Sequence, residues 1–297
     1  MKKHIVIIGH GAIGLLWGHN FHQQNHNVTL LTHREVLPKS QQTFKNINNE
    51  YCHAEFTFSK SMPENVDLIL VTTKAYQVKE ALSPWLDVIT APMIILHNGM
   101  GAVEDLTLDK THQVMLATTT HGALLTENTL THTGLGQTVI GNYQQTSPEQ
   151  LTIHQTLLNN ALPPVKAHPD IQHPLLLKLA INCVINPLTA LNQCQNGKLQ
   201  ESKFQPEIDL LINELQQVIP LLEPTWHYTH QTLKETIMAV VTATANNYSS
   251  MAQDVKFKRQ TEIDFINGYI VREGKRLEIN MTENEKLWNQ VNALPIK

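Results

Sequence analysis

Apolar residues come in short unbroken runs through the first 140 positions and at helical spacing beyond about 170. The runs at 5–8, 28–31, 66–71, 92–96, 114–117 and 138–140 predict strands, and an apolar stretch through Leu16, Trp17 and Phe21 predicts a helix after the first of them. Runs without polar alternation suit parallel strands covered by helices on both faces. After 140 the strand pattern stops. Pro163, Pro164, Pro169 and Pro174 break the chain, and the remainder reads as helices at roughly 206–223, 230–254, 259–277 and 283–292. One further helix carries Lys178, with Pro174 in its first turn and Pro187 kinking or ending it. The pattern predicts an α/β domain over 1–168 and an all-helical domain over 169–297, with no internal repeat.

The junction of the first strand and helix reads Gly9-His10-Gly11-Ala12-Ile13-Gly14. In such a loop the first glycine allows a tight turn, the second lets backbone approach a pyrophosphate, and the third allows close helix–strand packing. The helix N-terminus then faces the phosphates. A strand, glycine turn, helix and second strand in this order predict a Rossmann domain that binds a dinucleotide. The second strand ends Leu31-Thr32-His33-Arg34-Glu35, where an NAD enzyme would carry an acidic ribose ligand. Arg34 suits the 2′-phosphate of NADP, with His33 donating beside it, while an inward Glu35 would favour NAD.

In an open α/β sheet ligands bind at the carboxyl ends of the strands. Those ends carry Thr72-Thr73-Lys74 and His97-Asn98-Gly99-Met100-Gly101, so Lys74 and Asn98 point toward the presumed cofactor crevice. Lys74 is either a phosphate contact or an ordinary strand-end lysine. In the second domain, Lys178, Asn182 and Asn186 fall at about 0°, 40° and 80° around a helix, so an ammonium and two carboxamides share one face. Leu179, Ala180, Ile181, Cys183, Val184 and Ile185 cover the remainder, which marks the helix as buried and its polar stripe as needing partners. A satisfied core network and a catalytic stripe both meet that need.

Composition narrows the classes. Charged residues make up only 16%, the net charge is -4, and the strongest basic run is Lys256-Phe257-Lys258-Arg259, so a nucleic-acid footprint is missing. Cys52, Cys183 and Cys194 have no metal-ligand spacing and read as free thiols of a cytoplasmic protein. His19/His22 and His227/His230 have a helical i, i+3 spacing but read as surface histidines, and no metal site is expected. No run approaches the about 18 apolar residues of a membrane span, and no membrane partner is expected.

These elements together resemble the ketopantoate reductases, or 2-dehydropantoate 2-reductases, which make pantoate on the way to pantothenate and coenzyme A. The resemblance covers essentially the whole chain. It is carried by the glycine loop, Thr72-Thr73-Lys74-Ala75-Tyr76-Gln77, Asn98-Gly99-Met100-Gly101, Thr118-Thr119-Thr120-His121, the helix from Lys178 to Leu191, Ser249-Ser250-Met251-Ala252-Gln253-Asp254, and Thr261-Glu262-Ile263-Asp264-Phe265-Ile266-Asn267-Gly268.

The resemblance implies a Rossmann domain, a helical domain like that of 6-phosphogluconate dehydrogenase, and an active site between them. By matching position Lys178 is the proton donor, and Asn98, Asn182, Asn186, Asn196, Asn247 and Ser250 contact a 2-oxo acid substrate. NADP(H) contacts fall on Gly9, His10, Gly11, Ala12, Ile13, Gly14, Arg34, Lys74, Gln77, Asn98, the backbone at Ala123, and Glu262. From the residues alone, Glu262 also reads as an exposed helix carboxylate paired with Arg259. The chain departs from the family pattern in four places. His97 replaces a glutamine, His10 is an unusual loop residue, and the basic residue after the second strand is displaced by one, to Arg34. The Pro-x-Asn common near the family's C-terminus is missing around Met281-Thr282.

The expected activity is reduction of 2-dehydropantoate by a monomer or homodimer. The same scaffold would also serve a reductase of another 2-oxo acid or an imine, or a non-catalytic dinucleotide sensor.

Overall fold

The computed structural model describes residues 1–32, 41–127 and 129–295. The chain forms two compact units. The first comprises Met1–His97 and Asp105–Ile171, and the second comprises Asn98–Glu104 and everything from Gln172 onward. The change of unit at 171/172 lies beside the proline-rich stretch, but the short segment 98–104 joins the helical unit.

The first unit runs β1 (His4–Ile8), α1 (Ala12–Gln23), β2 (Asn27–Leu31), β3 (Gln41–Lys45), β4 (Tyr51–Glu55), β5 (Thr57–Ser59), β6 (Leu68–Val71), α2 (Val78–Leu82) and β7 (Met93–Leu96). It continues through β8 (Val114–Thr119), β9 (Gly122–Thr126), β10 (Thr129–Gly134), β11 (Thr138–Gln144), α3 (Pro148–Ala161) and β12 (Val165–Ala167). Eight strands form one sheet in the order β12-β11-β8-β7-β6-β1-β2-β5. Every pairing in it is parallel except β8 with β11. Ile5 of β1 sits opposite Val28 of β2 and Leu68 of β6, so the predicted apolar runs form the centre of the sheet. Strands buried on both faces need no alternation, which is why these were readable.

A second sheet, β4-β3-β10-β9, was not expected. Its strands are short and polar, as in Gln41-Gln42-Thr43-Phe44-Lys45, where only Gln42 and Phe44 are buried. Phe44 and Phe56 pack with Trp17 and Phe21 of α1 in one core. His19 lies inside it, 1% exposed, with its ring stacked on Phe44 at 4.9 Å and edge-on to Phe56 at 5.0 Å. The surface reading of His19 is therefore corrected, and burial lowers its pKa to about 4. Helix α3 and strand β12 also went unread.

The second unit contains α4 (Gln172–Asn192), α5 (Gln205–Leu222), α6 (His230–Ala243), α7 (Ser250–Lys256), α8 (Asn267–Arg276) and α9 (Thr282–Asn292). Two predicted helices are broken. The stretch 230–254 divides at 244–249 into α6 and α7, where Ser249 caps α7 by accepting from the amide of Ala252 at 3.0 Å. The stretch 259–277 begins as coil and a 3-10 turn at Ile263–Phe265 before α8 starts.

Pro187 was expected to kink or end its helix; it does not end it, since α4 continues to Asn192. Proline has no N–H to give the carbonyl of Cys183, one turn back. The side chain of Asn267 supplies that donor, Nδ2 to the Cys183 carbonyl at 2.9 Å. Helix α4 is long and apolar enough to cross a membrane by length and composition, which revises the expectation that no stretch would be. Leu175, Leu176, Leu179, Ala180, Cys183, Val184 and Leu188 are instead buried in the second unit.

Candidate functional site

In the first unit the chemistry gathers at the end of β1. Gly9 has φ +103°, a left-handed conformation that a side chain would strain, and a Cβ there would meet the amide of Thr73 at 2.7 Å. The hydroxyl of Thr72 donates to the Gly9 carbonyl at 2.7 Å and fixes the turn. A Cβ on Gly14 would overlap that same carbonyl oxygen, so α1 can lie against β1 only with glycine there. Gly11 differs, because a Cβ on it would meet nothing within 4 Å.

Gly11 is the N-cap of α1 and brings no side-chain acceptor to the first turn, which also lacks acidic residues. The first-turn amides therefore have no capping side chain at Gly11, where the adjoining space is open and the positive end of the helix lies behind. This is the cradle a pyrophosphate requires, so the loop fits the dinucleotide expected of it. His10 lines the loop, its ring edge-on to Phe58 of β5 at 5.9 Å. Lys74 is the third residue after β6, and its amide donates to Oε1 of exposed Gln77 at 3.3 Å. Ala123 stands in β9 opposite His132 of β10. His33, Arg34 and Glu35 lie outside the described residues.

In the second unit, Lys178, Asn182 and Asn186 follow one another at single-turn intervals on α4. Lys178 and Asn182 are half-buried, and Asn186 is 5% exposed. Burial draws the pKa of Lys178 down to about 8, while the nearby Glu262 carboxylate acts in the opposite direction.

Glu262 is not the exposed helix carboxylate of one sequence reading. It is 4% exposed, precedes the 3-10 turn, and accepts from Nδ2 of Asn98 at 3.0 Å. Arg259 forms its ion pair with Asp254 at 3.1 Å. The Asn98 segment is pinned next to this contact. The amide of Met100 donates to the Phe265 carbonyl at 2.8 Å, and Gly99, at φ +79°, passes too close to Phe265 to carry a side chain.

The other expected substrate residues lie where α4 meets the connection between α6 and α7. The amide of Asn196 donates to the Asn247 carbonyl at 2.9 Å, and its Nδ2 donates to the Thr244 hydroxyl at 2.9 Å. Its Oδ1 is buried and receives no hydrogen bond among the described residues. Asn247 and Ser250 are exposed on either side of buried Ser249. Ser249 accepts from the Thr189 hydroxyl at 2.8 Å, tying α7 to α4.

Thr189 and Thr244 were missed as supports of the site and left no signal, whereas Ser249 stood in a quoted motif and at the position of a capping residue ahead of a helix start. Asn284 was passed over as well. It is completely buried, accepts from Nδ2 of Asn267 and donates to Glu214.

A half-buried lysine beside neutral carboxamides can give a proton to a developing oxyanion and orient a small polar substrate. With the glycine cradle in the same chain, these features define a dinucleotide-binding oxidoreductase with a Rossmann domain and a helical second domain. The chain belongs to the ketopantoate reductase family. Residues 5–145 match the family described as "Ketopantoate reductase PanE/ApbA", and residues 170–295 match "Ketopantoate reductase PanE/ApbA C terminal".

The chain is 40% identical to the 2-dehydropantoate 2-reductase of Vibrio cholerae, over 98% of this chain and 97% of that one. It is 34% identical to the enzyme of the same name from Escherichia coli O157:H7, over 97% and 93%. Among solved structures, a probable 2-dehydropantoate 2-reductase from Bacillus subtilis matches with a TM-score of 0.80 and 28% identity, over 98% of this chain and 99% of that one. The fold is also that of a D-mandelate dehydrogenase solved with NADH and anilino(oxo)acetate, with a TM-score of 0.87 at 22% identity over 98% and 97%.

Proposed function

We propose that this protein reduces the 2-oxo group of 2-dehydropantoate to the alcohol of pantoate with NADPH, serving pantothenate and coenzyme A synthesis. The observation that carries the reading is the α4 stripe of Lys178, Asn182 and Asn186, with Lys178 half-buried and near the buried Glu262 carboxylate.

The glycine loop and the first turn of α1 would hold the pyrophosphate, and Arg34 the 2′-phosphate. When bound, the nicotinamide supplies the hydride. Lys178 holds a proton at Nζ and releases it to the ketone oxygen as negative charge develops there. Its lowered pKa makes that release easier near neutral pH than an exposed lysine would allow. Asn182 and Asn186 orient the ketone without adding charge. The buried Oδ1 of Asn196 is an acceptor suited to a substrate hydroxyl, and the exposed Ser250 hydroxyl is a donor suited to a carboxylate. The protein is expected to act in the cytoplasm as a monomer or homodimer, without nucleic acid or membrane.

NADPH oxidation followed with 2-dehydropantoate and with plain 2-oxo acids tests the reading. Turnover of 2-dehydropantoate at the highest kcat/KM of the panel is the expected result. Preference for another 2-oxo acid would reassign the substrate, and no turnover of any of them would remove the activity.

A further inference from the structure

The carbonyl of Cys183, which Pro187 deprives of its usual donor four residues on, belongs to a completely buried residue. A buried peptide oxygen without a donor is destabilising. Asn267, the first residue of α8 and 0% exposed, donates to it from Nδ2 at 2.9 Å. The same nitrogen donates to Oδ1 of Asn284 at 2.9 Å. Because the Cys183 oxygen can only accept, the Asn267 amide nitrogen must face it. Asn284 donates in turn from Nδ2 to Oε2 of Glu214 at 2.8 Å and from its backbone amide at 3.0 Å, while the amide of Glu283 reaches Oε1 at 2.7 Å. Glu214 of α5 thus accepts from the first amides of α9, and the chain of side chains ends on α4.

It ends inside the polar stripe. Cys183 follows Asn182 directly and precedes Asn186 by three residues. A proline in a helix usually opens a kink at this turn, which would rotate Asn186 and the residues after it away from Lys178 and Asn182. We propose that Asn267, anchored through Asn284 and Glu214, is a positioning residue that replaces the hydrogen bond lost at Pro187 and thereby keeps Lys178, Asn182 and Asn186 on one face. The kinetic part of this proposal rests on Lys178 being the proton donor; the structural part does not.

The test compares wild type, Asn267→Ala, Pro187→Ala and the double variant. Asn267→Ala should lower kcat for the preferred 2-oxo acid about tenfold, since small misplacements of reacting groups are costly, and leave NADPH affinity unchanged. Amide hydrogen exchange in peptides spanning 183–191 should accelerate in the same variant. In the double variant, residue 187 regains an N–H for the Cys183 carbonyl, so exchange should slow again and kcat should return to within about threefold of Pro187→Ala alone.

Wild-type kcat and exchange in Asn267→Ala, or a double variant as impaired as Asn267→Ala, would overturn the proposal. If Asn267→Ala does not fold, Asn267→Ser, whose hydroxyl is too short to reach Cys183, carries the same comparison. An inactive wild type would remove the functional reading and leave the exchange result to decide this one.

Discussion

Nδ2 of Asn98 donates to Oε2 of Glu262 at 3.0 Å across 164 positions of sequence, and both side chains belong to the helical unit. The bond holds a buried carboxylate where its charge acts on Lys178. Glu262→Gln keeps the shape and removes the charge, so the pKa of Lys178 should fall below about 8. The protonated fraction then declines at lower pH, and the alkaline fall of kcat should move to lower pH than in wild type. A kcat–pH profile that coincides with wild type would show that the carboxylate does not tune the lysine.

Lys178→Ala should reduce kcat by about 10²–10⁴, the range for a positioned general acid, with little change in NADPH affinity. In the wild type kcat should fall as pH rises through about 8, because the lysine loses the proton it must give. That limb should be absent from the variant. Near-normal turnover with poor NADPH binding would instead make Lys178 a cofactor anchor.

Two glycine substitutions should separate folding from binding. In Gly14→Ala the new methyl group overlaps the Gly9 carbonyl, so a marked drop in Tm is expected along with lost binding. In Gly11→Ala the methyl group enters open space, so the change in stability should stay within about 0.5 kcal/mol. NADPH affinity should nevertheless fall at least about tenfold, because the methyl group occupies the approach of the pyrophosphate. Thermal melts and fluorescence titrations of the two variants check both statements.

Arg34→Ala should weaken NADPH binding by about 1.5–3 kcal/mol, the value of a hydrogen bond to a charged group, and leave NADH binding nearly unchanged. Calorimetry with both dinucleotides measures the difference directly. Equal affinities in the wild type would mean that the displaced basic residue does not read the 2′-phosphate.

The central strands and the glycine loop were legible because both are local: Ile5 to Ile8 are apolar on both faces, and Gly9, Gly11 and Gly14 lie within six consecutive residues. The Lys178 stripe was legible through helical periodicity. The features that escaped depend on distant partners. Gln41 to Lys45 form a strand only because Phe44 finds the α1 core, and β3 pairs with β10 nearly ninety residues later. Of the two readings of Glu262, the exposed carboxylate failed because its partner Asn98 is in the other half of the chain. Pro187 read as kinking or ending its helix, and that the helix runs on past it was not visible locally because Asn267, the donor to Cys183, lies 84 positions away.

The few residues 98–104 also govern how the protein can be cut. A polypeptide beginning at the proline-rich stretch would contain every helix of the second unit yet lack the Asn98 donor to Glu262 and the Met100 amide that caps the Phe265 carbonyl. It would leave the buried Glu262 carboxylate near Lys178 without its Asn98 donor. The helical unit therefore cannot be excised as one continuous piece: part of it is encoded before the end of the first unit, and a circular permutant or a fusion that restores this loop would be needed to obtain it alone.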